Sequence, residues 1–257
     1  MNYRLTLISA ILFVCALCST RSIAEVVEIK GYHYDINKEV KVATLVRYTG
    51  SSSSVVIPNS ITHEEVEYSV TAFHARLFRD NKIKNRIKKV IIGDAVTSIG
   101  DNSFEGCTSL VSITIGKSVS SIGSSAFSGC MNLTSIIIPN SVTAIGSYAF
   151  EDCKSLSSIT IGNNVKIIGN KAFNYCLSLK TITLPKSLVT IGDDVFSNCD
   201  SLKSVTSLAE KAPMSDSPVN VSKIKNNILL FVPSISIDDY KGKEPWKSFD
   251  TIMSIKE

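Results

Sequence analysis

A 23-residue period runs through the central half of the chain. Cysteine recurs at Cys107, Cys130, Cys153, Cys176 and Cys199, and a phenylalanine stands three residues before each of them. Isoleucine-glycine pairs and a leucine column keep the same interval, which gives the consensus L-x-x-I-x-I-(G/P)-x-x-V-x-x-I-G-x-x-x-F-x-x-C-x-x. A fixed period of roughly 20 to 50 residues is typical of a solenoid, in which each coil buries its apolar edge only against its neighbours.

The pattern within one repeat predicts the path of a coil. The triplet 113–115, Ile-Thr-Ile, alternates apolar and polar residues as a strand does, and residues 119–122 predict a second extended segment that ends at Gly123. We expect the glycine column to adopt a backbone conformation that other residues resist. The Phe-x-x-Cys stretch that follows predicts one helical turn or an irregular arc, with both side chains pointing inward. The sequence therefore predicts a β-dominated (α/β-type) parallel solenoid.

The regular period also suggests how the chain is divided. Regular coils cover residues 87–207, and an irregular coil over 55–86 carries a nine-residue insertion after Ile61. Before them, segments 31–36 and 41–46 alternate around a polar turn, which predicts a β-hairpin cap within residues 25–54. Residues 208–257 lose the register and predict an irregular C-terminal cap, with one strand at 228–233 and an amphipathic stretch at 240–249.

The first 24 residues have the features of a secretory signal peptide. Arg4 precedes a 13-residue uncharged, mostly apolar run, and small residues end the segment at Ala24, so we expect cleavage between Ala24 and Glu25. The run is too short to cross about 30 Å of hydrocarbon, and no later window is apolar enough, so we expect no transmembrane segment in the mature chain. Lipoprotein anchoring on Cys18 or Cys15 is the less favoured alternative, because bulky residues precede both cysteines. The expected location is secreted or cell-surface.

Composition and charge exclude several classes of function. The chain is 44% apolar and 19% charged with a formal net charge of +4, which is too small to indicate a nucleic-acid partner. His33, His63 and His74 all precede the regular repeats, and their spacing suggests no carboxylate or serine partner for catalysis. No glycine-rich phosphate-binding motif is present. We therefore predict a protein that is not an enzyme and that binds no cofactor.

The five repeated cysteines allow three interpretations. Stacked coils bring equivalent Cα atoms within disulfide reach, and the expected compartment is oxidising, so one or two disulfides remain an open alternative. A zinc site needs four ligands that converge on one point, whereas these thiols lie in a line. Each cysteine stands between a phenylalanine and a leucine in an apolar column. We favour small hydrophobic side chains that pack in the core.

Two surfaces are candidates for ligand binding. Outward strand positions form a hydroxyl-rich strip with little charge, suited to hydrogen bonding with a glycan or a protein. The strip comprises Ser112, Thr114, Ser135, Ile137, Ser158, Thr160, Thr181 and Thr183. The second candidate is a basic segment that carries a charge of +6 over 14 residues and suits an acidic glycan or a membrane phosphate surface. The basic segment comprises Arg76, Arg79, Lys82, Lys84, Arg86, Lys88 and Lys89.

The repeated pattern Val-x-x-Ile-Gly-x-x-(Ala)-Phe-x-x-Cys-x-x-Leu-x-x-Ile-x-(Ile/Leu)-Pro resembles the BspA-like leucine-rich repeats of bacterial and some protist surface proteins. The resemblance covers residues 55–207. It implies a right-handed leucine-rich-repeat solenoid in a secreted or cell-surface protein, with relatives that adhere to host matrix proteins or to other cells. It implies no catalysis.

Together these observations predict a non-catalytic module that binds an extracellular or host-surface protein or glycan. The alternative is a structural or accessory scaffold of the cell envelope, with partners from the same cell. The oligomeric state is not encoded in any pattern we find.

Overall fold

The computed structural model describes residues 25–75, 77–78, 81–215, 228–249 and 251–256, without the side chains of 81 and 82. The predicted signal peptide, with its Cys15 and Cys18, lies outside the described residues. The first strands are β1 (Glu25–Ile29), β2 (Tyr32–Asn37), β3 (Val42–Tyr48), β4 (Ser54–Ile57), β5 (Ser60–His63) and β6 (Val66–Phe73), followed by the one-turn helix α1 (Asn81–Lys84).

The repeats then contribute two strands each. These are β7 (Lys89–Ile92), β8 (Ser98–Ile99), β9 (Ser112–Thr114), β10 (Ser121–Ile122), β11 (Ser135–Ile137), β12 (Ala144–Ile145), β13 (Ser158–Thr160), β14 (Ile167–Ile168), β15 (Thr181–Leu184), β16 (Thr190–Ile191) and β17 (Ser204–Ser207). The chain continues through β18 (Leu229–Val232), the helix α2 (Ile237–Lys241) and β19 (Thr251–Ser254), with short 3₁₀ turns at Ser234–Ser236 and Trp246–Ser248.

Parallel strands stack along two sides of the coils. One side carries β4-β7-β9, β11-β13 and β15-β17-β18-β19, and the other carries β8-β10-β12-β14-β16. Paired residues lie 23 positions apart, as in Ser135 opposite Ser158 and Ile122 opposite Ile145. The predicted fold class is thus confirmed: the chain forms a parallel β-solenoid of 23-residue coils. We call the outward surface of the first side, from β4 to β19, the strand face.

The inward columns form a continuous core. Phe104, Phe127, Phe150 and Phe173 are fully buried, and their rings stack at centroid distances of 5.2, 5.2 and 5.5 Å with planes within 9° of parallel. The equivalent Ile, Val and Leu columns are also buried. Because each phenylalanine ring of this stack contacts rings of the adjacent coils, the core is built from contacts between neighbouring coils along the axis.

The arc that contains phenylalanine and cysteine consists of successive turns and is not helical. Its backbone donates hydrogen bonds to the next coil, as from Phe104 N to Ala126 O and from Phe127 N to Ala149 O, both at 2.8 Å. Two residues in each arc have left-handed backbone angles, for example Tyr148 with φ of 59° and Asp152 with φ of 59°. The irregular arc is therefore tied to its neighbours along its whole length.

The expectation for the glycine column is wrong. Gly123, Gly146, Gly169 and Gly192 do not have positive φ angles, so no unusual backbone conformation requires them. Instead, a Cβ atom at Gly146 would lie 2.6 Å from the backbone C atom of Gly123 and 2.6 Å from the backbone N atom of Ser124. Glycine occupies this column because adjacent coils approach each other too closely for any side chain.

A five-stranded sheet in the order β1-β2-β3-β6-β5 precedes the coils. Strands β2 and β3 pair antiparallel, and the insertion after the first irregular strand forms the hairpin β5–β6 in the same sheet. This second hairpin was not predicted from the sequence, because its turn places Glu64 and Glu65 at φ angles of 49° and 64° without the usual glycine or asparagine. The Tyr32 hydroxyl accepts a hydrogen bond from Val56 N at 3.1 Å, which occupies the edge of β4.

At the other end, the strand face continues through β18 and β19. The strand β19 was not predicted. Tyr240 and Trp246 are buried beneath these strands: the Trp246 indole N–H donates to Pro213 O at 2.7 Å, and the Tyr240 hydroxyl lies 2.7 Å from Ser207 Oγ. These contacts close the apolar end of the last coils.

Candidate functional site

The predicted hydroxyl strip lies on the strand face as two adjacent columns. Ser112, Ser135, Ser158 and Thr181 are exposed in one column. The parallel register of Ser135 with Ser158, and of Thr181 with Ser204, sets each of these pairs about 4.8 Å apart. Thr114, Thr160 and Thr183 are exposed in the second column. Ile137 interrupts this second column and is 70% exposed. The strip is therefore flat, polar and set on a rigid backbone.

Hydroxyls on this strip differ from hydroxyls elsewhere on the coils. Ser109, Ser120 and Thr143 donate to backbone carbonyls of the preceding coil at 2.6, 2.9 and 3.2 Å. Within the part of the chain that the structure describes, the strip hydroxyls have no such partner. Hydroxyls on the turns thus hold coils together, whereas those on the strip remain available to a ligand.

The structure separates the members of the basic segment. Arg76 and Arg79 lie outside the described residues, as does the side chain of Lys82. Lys84 is half-buried beside Gly106, and the Arg86 guanidinium donates to Gly50 O at 3.0 Å. Lys84 therefore lies against the first regular coil, and Arg86 contacts the segment between β3 and β4.

Lys88 and Lys89 belong to the strand face instead. Lys89 is exposed and lies in register between Ser54 on one side and Ser112 on the other. Lys88 precedes it, and its carbonyl accepts a hydrogen bond from Val111 N at 2.9 Å. The two candidate surfaces are thus partly one surface, because the last two lysines of the basic segment adjoin the first serine of the strip.

Two further lysines, not singled out from the sequence, stand at the other end of the strip. Lys180 and Lys203 are exposed at the position that directly precedes the strand, in neighbouring coils joined by a hydrogen bond from Lys203 N to Lys180 O at 2.9 Å. The 23-residue spacing that links position 88 to 180 and 203 is the signal that identifies them. From β4 to β19, the outward strand positions in the described residues carry no carboxylate.

The cysteine column lies in the core. All five repeat cysteines are free and buried. Each Sγ from Cys130 to Cys199 donates to the carbonyl of a phenylalanine in the preceding coil, at 3.1 to 3.3 Å. Burial raises the pKa of the Cys107 and Cys199 thiols to about 12. Such thiols are poor nucleophiles and poor metal ligands, because both roles require the thiolate.

The histidines lie in the N-terminal sheet or directly after it. His33 Nε2 is 3.0 Å from Thr49 Oγ1, and His63 Nε2 is 3.3 Å from Glu25 Oε1. Glu25, His63 and Glu64 place ligand-type atoms within 4.8 Å of one another, but Lys38 Nζ lies 2.7 Å from Glu25 and 3.3 Å from Glu64. The hydrogen bond from Lys38 lowers the pKa of Glu25. The ammonium group already supplies the positive charge that this cluster attracts.

Short parallel strands at a 23-residue interval, with inward Leu, Ile, Phe and Cys columns and a flat outward face, define a leucine-rich-repeat solenoid. The BspA type leucine rich repeat region matches residues 71–203 in six copies. The chain therefore belongs to this family, which confirms the resemblance seen in the sequence. Membership of this family indicates an interaction module.

Several solved structures share the fold. The T. pallidum Leucine Rich Repeat protein is 28% identical, with a TM-score of 0.66 over 74% of this chain and 86% of that chain. A leucine rich cell surface protein from Faecalibacterium prausnitzii A2-165 is 24% identical, with a TM-score of 0.56 over 89% of this chain and 72% of that one. The pneumococcal vaccine antigen PcpA is 20% identical, with a TM-score of 0.61 over 83% of this chain and 60% of that one.

No curated protein matches the chain. Among the described residues, none of the helices has the length and apolar character needed to cross a membrane.

Proposed function

We propose that the strand face binds an extracellular or host-surface protein or glycan, in a protein that is secreted or displayed at the cell surface. The observation that carries this proposal is the strip of exposed hydroxyls that have no partner within the described residues. Each hydroxyl is both a donor and an acceptor, so a column of them suits the hydroxyls and amides of a glycan or a protein backbone.

The backbone beneath the strip favours binding because it is ordered before the ligand arrives. Coil-to-coil hydrogen bonds hold both strand sides and the arc, as in Ile138 N to Thr160 O at 2.8 Å beside the strip. A ligand therefore orders few main-chain groups when it binds, and the entropic cost of association is small. Exposed solenoid faces of this kind are the usual binding surfaces of repeat proteins.

The composition of the strip favours binding over catalysis. A serine or threonine nucleophile needs a base within hydrogen-bond reach. Among the described residues, the strip contains hydroxyls and Ile137, and the three histidines lie in or directly after the N-terminal sheet. A hydroxyl without a base binds a ligand but does not attack it.

The test is a screen of the purified protein on an array of extracellular-matrix proteins and glycans. The blocking variant is Ser135→Tyr/Ser158→Tyr, which adds bulk to neighbouring coils of the strip without adding charge. The matched control is Ser118→Tyr/Val189→Tyr, which adds the same bulk at two exposed positions outside the strip, where neither side chain forms a hydrogen bond within the described residues. We expect the blocking variant to lose the array signal and the control to keep it.

Equal signals from both variants would show that another surface binds the ligand. A blank array, combined with co-purification of the protein with envelope fractions of its own cell, would favour the scaffold alternative instead.

A further inference from the structure

We propose that the ligand of the strand face is an acidic glycan, a polysaccharide with sulfate or uronate groups, that lies along the solenoid axis. It would extend from Lys88 and Lys89 at one end of the strip to Lys180 and Lys203 at the other. This inference rests on the proposed function, because it names the ligand class of the same surface.

The positions of the four lysines define the length of the site. Four coil steps separate Lys88 from Lys180, which corresponds to about 19 Å at ~4.8 Å per step. All four ammonium groups are exposed, and within the described residues none of them forms an ion pair. By contrast, Lys117, Lys154 and Lys186 lie 3.9, 3.3 and 2.5 Å from a carboxylate. The four lysines of the strand face thus have no carboxylate partner within the described residues, so their charge is left for a ligand.

The residues between the two lysine pairs suit a sugar chain. Ser112, Ser135 and Ser158 fill this interval with hydroxyls that have no partner in the described structure. A ligand whose charges alternate with hydroxyl groups matches both features at once: anionic groups meet the ammonium groups at the ends, and sugar hydroxyls meet the serines between them.

The distribution of acidic residues reinforces this match. Asp94, which follows β7, lies 3.9 Å from Lys117 Nζ. The other carboxylates of the repeats lie in the arcs, away from the strand face; these are Asp101, Glu105, Glu151, Asp152, Asp193, Asp194 and Asp200. The strand face is therefore positive although the repeats as a whole are close to neutral. Such an asymmetry steers an anion to one side of the molecule and makes its capture sensitive to salt.

An acidic protein segment and an anionic membrane fit less well. Protein interfaces depend on buried aromatic or arginine anchors at their centre. The central strands β9, β11 and β13 offer no such residue. Membrane attraction needs a dense cluster of roughly four to eight basic residues. Here two pairs of lysines stand apart, with neutral hydroxyls between them.

The experiment is calorimetric titration of the purified protein with a heparin-derived octasaccharide. A neutral maltooctaose, a single-stranded oligonucleotide and anionic phospholipid vesicles serve as comparison probes. We expect binding of the sulfated probe that weakens at high salt. The variant Lys180→Gln/Lys203→Gln is expected to bind it roughly tenfold more weakly, and Lys88→Gln/Lys89→Gln is expected to lose a similar factor.

The matched control is Lys166→Gln/Lys171→Gln, which removes the same charge from the coil that precedes Lys180, outside the strand face. We expect its affinity to stay within about twofold of the original. A sulfated disaccharide provides a second control, since it is too short to reach both lysine pairs. It is expected to lose much less affinity than the octasaccharide when one pair is replaced. Circular dichroism of each variant checks that the coils remain folded.

Several results would overturn the inference. An equal loss in the control variant, or equal binding of the oligonucleotide, would indicate attraction to any polyanion. Binding of vesicles without binding of the sulfated glycan would assign the face to a membrane. A neutral glycan or protein ligand that Ser135→Tyr/Ser158→Tyr blocks would overturn the acidic-glycan inference and leave the proposed function intact. If Ser135→Tyr/Ser158→Tyr binds every ligand on the array as well as the original protein does, the proposed function itself fails.

Discussion

At the scale of single residues, the cysteine column shows how a repeated side chain serves the core. The Phe127 carbonyl accepts from Cys130 N at 3.1 Å within its own turn and from Cys153 Sγ of the next coil at 3.2 Å. A small apolar side chain with a weak donor therefore fits a site where valine or serine would leave a mismatch. The column explains why cysteine persists without forming a disulfide or a metal site in this structure.

The buried thiols predict a specific pattern of chemical reactivity. At pH 8 a thiol-directed reagent should leave Cys107 to Cys199 unmodified in the folded protein, and all five should react in denaturant without a reductant. Burial keeps the thiolate fraction negligible, since the pKa of Cys107 is raised to about 12. Mass spectrometry of the labelled peptides assigns each site. A pair that reacts only after reduction would reveal a disulfide.

The raised pKa values of buried side chains also predict a loss of stability in alkaline solution. Burial raises the pKa of Cys199 to about 12 and that of Tyr240 to about 12, above their ordinary values of 9.0 and 10.0. A group whose folded pKa is raised contributes its stability below the unfolded pKa and loses it as pH rises toward the folded pKa. The urea midpoint should therefore fall between about pH 9 and 12. A midpoint that stays constant over this range would contradict the burial of these groups.

The phenylalanine stack predicts a large cost for truncation. Phe150 is fully buried between Phe127 and Phe173, so Phe150→Ala should lower the free energy of unfolding by about 3 to 5 kcal/mol. Tyr175→Ala is the matched control, because Tyr175 is an aromatic residue of the next coil that is 45% exposed. It should cost less than about 1 kcal/mol. Urea denaturation measures both, and similar costs would mean that the stack is not the core.

At the scale of the structural element, the spacing between coils is set by the glycine column. The second strand of each coil lies so close to its neighbour that a Cβ atom at Gly169 would be 2.4 Å from Ser147 N. The two left-handed positions of each arc, in contrast, accept other residues, as Tyr175 shows with φ of 58°. Close contact, and not backbone conformation, is what the repeated glycine provides.

A pair of glycine substitutions tests this explanation. Gly146→Ala should destabilise the protein by several kcal/mol or prevent folding, because the methyl group would overlap the backbone of Gly123 and Ser124. Gly100→Ala, in the first regular coil, should be tolerated, because the atoms nearest to the added Cβ atom would lie 3.5 Å from it. Thermal unfolding compares the two variants. Equal effects of the two substitutions would indicate that backbone conformation, rather than close contact, requires glycine in this column.

At the scale of the whole molecule, the coils and both ends form one stacked structure. The N-terminal sheet contacts β4 through Tyr32, and β18 and β19 extend the same strand face at the other end. The two surfaces suggested by the sequence meet on this face. Its hydroxyls and lysines carry the proposed function, while the arcs carry most of the carboxylates.

The sequence by itself determined the 23-residue coil, the inward columns and the positions of both strands, because identical neighbours repeat the same local pattern and each coil packs only on the next. It also located the hydroxyl strip, since residues between inward strand positions must point outward. The same 23-residue spacing relates Lys89 to Ser112 and Lys88 to Lys180 and Lys203. Only the tertiary structure decided that β5, β6 and β19 complete the ends, because these end segments follow no period and pair through stacking rather than local sequence.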